Sequence, residues 1–200
     1  MAVRGWSVAV PVMLLLAAGG CRPKHSVAAM EEAAAAHSPA VGRPAPAFRL
    51  PDQEDRPVRL KDLRGRWVVL YFYPKNDTPG CICEATEFTE LLFRFQDMNA
   101  SVYGISEDST ESHRAFIKKF ALGMDLLSDP DHAVMKEYGA WVEAKVGDKS
   151  YQRVIRSTFL IGPDGTIRHH WPEVIPKGHA ERVRRKLSEL QRRPSTSDSE

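Results

Sequence analysis

A buried strand that runs directly into a helix constrains the fold of this chain more than any other feature. The run WVVLYFY lies within Arg66–Tyr73, and an unbroken apolar run rich in β-branched and aromatic residues is typical of a central, buried strand. After a short polar loop, apolar residues recur every three or four positions, which predicts one face of a helix over Pro79–Met98. These residues are Cys81, Ala85, Phe88, Leu92 and Phe95.

The rest of the chain continues the alternation of strands and helices. The patterns predict a short hairpin (Phe48–Leu50 with Val58–Leu60), strands at Ser101–Ile105 and Leu126–Leu127, helices at Thr110–Phe120, His132–Tyr138 and Ala180–Leu190, and strands Val154–Ile161 and Ile167–Trp171 around the turn GPDGT. The expected architecture is therefore α/β, with a mixed β-sheet flanked by helices on both faces and an N-terminal β-hairpin.

Length and charge limit the organisation and the partners. A chain of 200 residues, 42% of them hydrophobic, suffices for one domain, which we place at residues 43–191. Residues 21–42 are predicted to form a flexible tether and residues 192–200 a disordered tail. The net charge of +2, from 28 Lys and Arg against 26 Asp and Glu, argues against binding to nucleic acid.

The N-terminus resembles a secretory signal, predicted over residues 1–20. Arg4 is followed by an apolar run through Leu16 and by small residues up to Cys21. The AAGGC stretch resembles a bacterial lipobox, which would make Cys21 a lipidation site and the lipid anchor the only contact with a membrane. Localisation would then be the bacterial cell envelope, facing the periplasm or the exterior. A simple cleaved signal remains the alternative.

The junction between the central strand and the helix favours an anion. Thr78 suits the N-cap, Pro79 the first helical position, and Gly80 leaves room near the backbone, so Cys81 falls in the first turn. Backbone N–H groups there lack helical partners and the helix dipole is positive. An ordinary cysteine has a pKa of about 8.5, and a reactive one needs a fall of about two units, or roughly 2.7 kcal/mol.

A helix N-terminus contributes typically 0.3 to 1 kcal/mol, so a nearby cation is required. Arg156 is the candidate, because an arginine at the start of the apolar RSTFLI segment needs a partner. A pairing with a surface carboxylate is the alternative for Arg156. Thr78 as a cap alone, and Glu84 as a solvated first-turn acid, also stay open.

Several segments resemble the peroxiredoxins. Pro74, Thr78 and Cys81 form a P-x-x-x-T-x-x-C motif, and YFYPKNDTPGC resembles the bacterioferritin comigratory protein (PrxQ) subgroup. VYGISEDS, LLSDPDHAVMKEYG and RSTFLIGPDG follow in the same order as in that subgroup. The resemblance covers about residues 42–190 and implies a thioredoxin-like fold.

The resemblance also implies roles for five residues. Cys81 would be the peroxide-attacking thiol, Thr78 the hydroxyl that orients the peroxide, and Arg156 the guanidinium that holds the thiolate. Pro74 would shield the pocket and Glu84 would support it through a hydrogen bond. The implied activity is reduction of hydrogen peroxide or organic hydroperoxides through a sulfenic acid, in a monomer or weak dimer. A thioredoxin-like protein or a small thiol would be the reductant, and no cofactor is expected.

The resolving position departs from the family pattern. Many members of the subgroup carry a second cysteine five residues after the first, where this chain has Thr86. Cys83 points about 200° around the helix from Cys81, so a bond between them requires the first turn to unwind. Direct reduction by an external thiol, a Cys81–Cys83 disulfide and a bond between two chains all stay open, and Cys83 could instead simply fill space.

Two other functions were weighed. Cys81 and Cys83 could serve a Cu(I)-binding metallochaperone, since soft thiolates suit that ion, but a C-x-C on a helix aims its sulfurs apart. A thiol-disulfide oxidoreductase of the envelope would favour C-x-x-C at the helix start. The seven histidines show no ligand spacing, so we expect no catalytic metal.

Overall fold

A computed structural model describes Ser38, residues 40–146 and residues 149–192. The predicted signal peptide, Cys21, most of the predicted tether and residues 193–200 lie outside these ranges. Nine strands, four α-helices and one short 3-10 helix, Leu60–Leu63, make up the described part of the chain. The strands are β1 (Arg49–Pro51), β2 (Pro57–Arg59), β3 (Trp67–Phe72), β4 (Ala100–Ser106), β5 (Asp125–Ser128), β6 (Trp141–Val146), β7 (Lys149–Val154), β8 (Ser157–Ile161) and β9 (Ile167–Trp171). The helices are α1 (Pro79–Asp97), α2 (Thr110–Phe120), α3 (Ala133–Glu137) and α4 (His179–Arg192).

The central sheet has five strands in the order β5-β4-β3-β8-β9. β4 pairs parallel with both β3 and β5, whereas β8 pairs antiparallel with both β3 and β9. β3 lies in the middle, and every residue from Val68 to Phe72 is buried. The predicted central strand and the mixed sheet are confirmed.

Alternate residues of β3 pack into two different cores. Val69, Tyr71 and Tyr73 join the core formed with α1, α2 and α4, where Phe88, Phe116 and Val183 are buried. Val68, Leu70 and Phe72 face the core beneath the β1–β2 hairpin and α3, among them Leu50, Met135 and Tyr138. Because β3 is covered on both faces, its sequence is apolar throughout rather than alternating. The α/β layers with an N-terminal hairpin match the predicted fold class.

The largest difference in secondary structure between the prediction and the structure lies between α3 and β8. Sequence analysis did not predict the antiparallel hairpin of β6 and β7, and the predicted strand Val154–Ile161 is divided between the end of β7 and the whole of β8. Arg156 therefore lies in the link between two strands rather than inside one. Within the described ranges, no helix is both long and apolar enough to cross a membrane.

Candidate active site

The loop between β3 and α1 delivers Cys81 to the first helical turn. Thr78 occupies the N-cap with extended backbone angles, Pro79 is the first helical residue, and the Ile82 N–H donates to the Thr78 carbonyl at 2.9 Å. Proline suits that position because its missing N–H would have no helical partner. The Thr78 hydroxyl makes no capping bond; it donates instead to the Lys75 carbonyl at 3.2 Å.

Cys81 is buried beside a guanidinium. Its side chain lies in the hydrophobic core between α1 and the sheet and is 2% exposed. Arg156 Nη2 donates to its Sγ at 3.1 Å. A methyl group on Gly80 would lie 3.4 Å from that same Nη2 atom. A positive charge and the N-terminus of a helix therefore meet at one sulfur.

Arg156 also binds a second acidic group. Its Nη1 donates to Glu84 Oε2, and the Glu84 side chain is fully buried. Burial raises the pKa of Glu84 to about 7, although Arg156 acts in the opposite direction. Burial lowers the pKa of Arg156, but Glu84 and Cys81 outweigh it and raise that pKa overall. Glu84 is therefore not a solvated first-turn acid, because it is a buried partner of the arginine that contacts the sulfur.

Cys83 lies in a different environment. It is partly exposed, and its Sγ donates to Glu87 Oε1 at 3.8 Å. Burial, followed by the Glu87 carboxylate, raises the pKa of the Cys83 thiol. Neither cysteine forms a disulfide. Pro74 is partly buried at the start of the loop. Of the predicted residues, Arg156 contacts both Cys81 and Glu84, and Pro74 and Thr78 lie in the loop that precedes α1.

A segment before α4 also packs at this site, which sequence analysis did not predict. The Val174 N–H donates to the Arg156 carbonyl at 3.0 Å, and the Gly178 N–H donates to Glu87 Oε1 at 2.7 Å. Pro176 Cγ would lie 3.4 Å from a methyl group on Gly80. The segment Val174–Gly178 thus ties the backbone of Arg156 to the first turns of α1. Its Pro and Gly residues indicated only a loop.

A buried polar network holds the loop on its other side. Asn76, only 6% exposed, contacts Tyr73, Asp108, Ser112 and His113. Sequence analysis missed all of these residues, since Asn76 read as one more polar residue in a turn and its partners lie at least 32 residues away except for Tyr73. Among the described residues, no group of three or more His, Cys, Asp or Glu is arranged to hold a metal ion.

Comparison with known proteins identifies relatives over most of this chain. Residues 41–170 match the family model described as the AhpC/TSA family. A putative peroxiredoxin Bcp from Coxiella burnetii is 43% identical over 143 residues, which cover 72% of this chain and 95% of that protein. Peroxiredoxin Bcp from Escherichia coli is 38% identical over 145 residues, covering 72% and 93%.

Solved structures agree with this match. The bacterioferritin comigratory protein of Xanthomonas campestris, studied for alkyl peroxide reduction in trapped intermediate and ligand complexes, superimposes with a TM-score of 0.70 at 34% identity. That match covers 72% of this chain and 91% of the other. A PrxQ mutant from Xylella fastidiosa is 38% identical with a TM-score of 0.68, covering 72% of this chain and 89% of the other.

Proposed function

The chain belongs to the AhpC/TSA family and is a thiol-dependent peroxiredoxin of the Bcp/PrxQ subgroup, which reduces peroxides, and on that basis we propose that Cys81 is the attacking thiolate. The observation that carries this assignment is the Arg156 Nη2 to Cys81 Sγ contact of 3.1 Å at the N-terminus of α1. Cys83, the other cysteine within the described ranges, donates to a carboxylate instead.

The reaction at Cys81 has two stages. The thiolate sulfur bonds to the terminal peroxide oxygen, the O–O bond breaks, and the leaving oxygen takes a proton to become water or an alcohol. Cys81 is thereby oxidised to a sulfenic acid. An external thiol then displaces water to form a mixed disulfide, and a second thiol releases Cys81 in its reduced form.

The residues around Cys81 have different roles in the reaction with peroxide. The Arg156 guanidinium balances the thiolate charge and lies where it can also polarise the breaking O–O bond. Glu84 holds the guanidinium in orientation from its buried side. Thr78 would turn its hydroxyl from the Lys75 carbonyl to the bound peroxide, and Pro74 would keep water from the pocket.

Regeneration is assigned to an external reductant, a thioredoxin-like protein or a small thiol. Thr86 stands where many members of the subgroup have a resolving cysteine. Cys83 is held by Glu87, whose Oε1 also accepts from the Gly178 N–H. A Cys81–Cys83 disulfide would have to break the contact with Glu87 as well as unwind the first turn of α1.

We place the protein in the bacterial envelope, anchored through a lipid on Cys21 and facing the periplasm or the exterior. The support is the sequence alone: an early arginine, an apolar run and small residues directly before the cysteine. Metabolic labelling with a fatty acid analogue should mark the wild-type protein and leave Cys21→Ala unlabelled. Equal labelling of the two would contradict the assignment.

Peroxide consumption by purified variants tests the role of Cys81. One equivalent of hydrogen peroxide should give a dimedone-trapped sulfenic acid on Cys81, and Cys81→Ser should abolish both the adduct and the consumption. Cys83→Ser is the matched control and should keep most of the rate in the presence of an external thiol. A Cys81→Ser variant that still consumes peroxide would overturn the assignment.

A further inference from the structure

The loop that carries Pro74 and Thr78 is tied to α2 through one buried side chain. The Tyr73 hydroxyl donates to Asn76 Oδ1 at 2.9 Å, and Asn76 Nδ2 donates to Ser112 Oγ at 2.9 Å. Asn76 Nδ2 also lies 3.2 Å from His113 Nδ1. The amide therefore uses both its oxygen and its nitrogen inside the protein, although Lys75 and Asp77 on either side are exposed.

The backbone of Asn76 is held as well. Its N–H donates to Asp108 Oδ2 at 2.9 Å, and the same oxygen accepts from the Ser106 hydroxyl at 2.8 Å. Asp108 follows the end of β4, so the loop after β3 is fixed to the loop after β4. The side chain and the backbone of Asn76 are thus held by one connected network, in which the Ser112 hydroxyl also donates to Asp108 Oδ1 at 3.3 Å.

The hydrogen bonds use both the oxygen and the nitrogen of the amide at position 76. Burial lowers the pKa of His113 to about 4, so the ring is neutral near pH 7 and its Nδ1 can accept from the amide nitrogen. Asp108 presents a carboxylate to the backbone N–H of Asn76. An aspartate at position 76 would lose the NH2 donors and would bring a second carboxylate close to Asp108.

The position of Asn76 connects this network to the site. Asp77, the next residue, adopts a left-handed conformation with φ of 59°, and Thr78 then caps α1. A displacement of Asn76 would therefore move Thr78 and Pro74, each two residues away. Cys81 packs in the core beside Arg156, which precedes β8, so both residues also have anchors outside the loop.

We propose that Asn76 is a positioning residue for peroxide reduction, which fixes the Pro74–Thr78 loop against α2 so that the loop can orient the peroxide at Cys81. This inference rests on the proposed function of Cys81. A displacement of about 1 Å in a group that positions the substrate can lower the reaction rate about 100-fold.

Asn76→Asp tests the inference in the full-length protein. The second-order rate with hydrogen peroxide should fall about 10- to 100-fold. Thiolate absorbance at neutral pH, taken as the difference from Cys81→Ser, should stay within about 20% of the wild-type value, because Arg156 still contacts the sulfur. A role in overall stability alone would not separate these two readouts.

Two further variants act as matched controls. Lys119→Gln breaks the exposed ion pair between α2 and Asp77 without changing the loop itself and should leave the rate unchanged. Tyr138→Phe removes a buried hydrogen bond to the Pro46 carbonyl on the other face of the sheet. It should lower the thermal midpoint without lowering the rate.

The outcomes separate cleanly. An unchanged rate in Asn76→Asp overturns the inference, and so does a rate lost together with the thiolate, which would mean that the whole site has collapsed. If Asn76→Asp does not fold, Ser112→Ala removes one partner of the amide and should lower the rate about threefold with the thiolate retained. If the proposed function itself fails, the wild-type protein will show no peroxide consumption that depends on Cys81.

Discussion

The first turns of α1 carry two pairs of a thiol and a carboxylate, and only one of the pairs has an arginine between its two members. Cys81 and Glu84 are joined by Arg156, which donates to both. Cys83 and Glu87 are in direct contact, with the sulfur as donor. A thiol that donates to a carboxylate is held in its neutral form, whereas a thiol that accepts from a guanidinium is favoured as a thiolate. One arginine between thiol and carboxylate therefore makes the difference: the Cys81 sulfur accepts a hydrogen bond, whereas the Cys83 sulfur donates one.

The largest expected effect comes from removing that cation. Arg156→Met should lower the rate of peroxide reduction about 10²- to 10³-fold, the usual cost of losing one preorganised charged donor. Stopped-flow measurement with hydrogen peroxide gives the rate. Arg168→Met, which removes an exposed arginine paired with Asp164, is the matched control and should change the rate less than about twofold. Similar losses in both variants would contradict the special role of Arg156.

The second effect concerns the stability of the buried acid. Because burial raises the folded-state pKa of Glu84 to about 7, the folded protein holds a proton that the unfolded chain loses above about pH 4.3. Stability contributed by this proton is present at low pH and is lost as the pH rises to about 7. Between about pH 4.3 and 7, the free energy of unfolding of the wild type should therefore fall relative to that of Glu84→Gln by on the order of 2 kcal/mol.

Chemical denaturation at several pH values measures this difference. His113 and His170, whose pKa values burial lowers to about 4, act in the opposite sense but equally in both proteins, so the difference isolates Glu84. A difference that stays flat or narrows as the pH rises would show that the ion pair with Arg156 outweighs burial.

A third effect compares the two thiols directly. With one equivalent of peroxide, dimedone should label Cys81 at least about tenfold more than Cys83, because burial and Glu87 raise the pKa of the Cys83 thiol and leave less of it as the reactive thiolate. Peptide mass spectrometry distinguishes the two positions within one sample. Equal labelling would show that the guanidinium gives Cys81 no advantage.

The smallest effect tests the Cys83 side. Glu87→Gln removes the negative charge and keeps an oxygen that can accept from the Gly178 N–H. Alkylation of Cys83 at pH 8 should become roughly threefold faster, since one cause of its raised pKa is gone. The rate of peroxide reduction at Cys81 should not change. A Cys83 alkylation rate that does not respond would leave burial and Glu84 as the causes of the raised pKa.

Local patterns in the sequence predicted much of the fold and of the helix that carries Cys81. The apolar run of β3, the turn residues before α1 and the spacing of its apolar face each act over a few residues. The apolar pattern of the sequence did not indicate the hairpin of β6 and β7, because β7 is exposed from Lys149 to Arg153 and contains few apolar residues. Its strands are separated by Gly147 and Asp148, a pair that could have indicated a hairpin.

Contacts over long distances in the chain set the limit of sequence analysis. Arg156 was selected because an arginine beside an apolar segment is costly without a partner, but its contacts with Cys81 and Glu84 became visible only in the folded chain. The network of Asn76 gave no signal at all. A buried amide in a polar loop has the same sequence as an exposed one, and its partners lie directly after β3, after β4 and on α2.

The guanidinium that contacts the sulfur comes from 75 residues further along the chain. A ribosome makes Cys81 well before Arg156, and the two meet only once β8 has joined the sheet beside β3. A nascent polypeptide would therefore carry a thiol at position 81 without its guanidinium partner. The pairing of thiol and guanidinium thus arises only when the fold is complete.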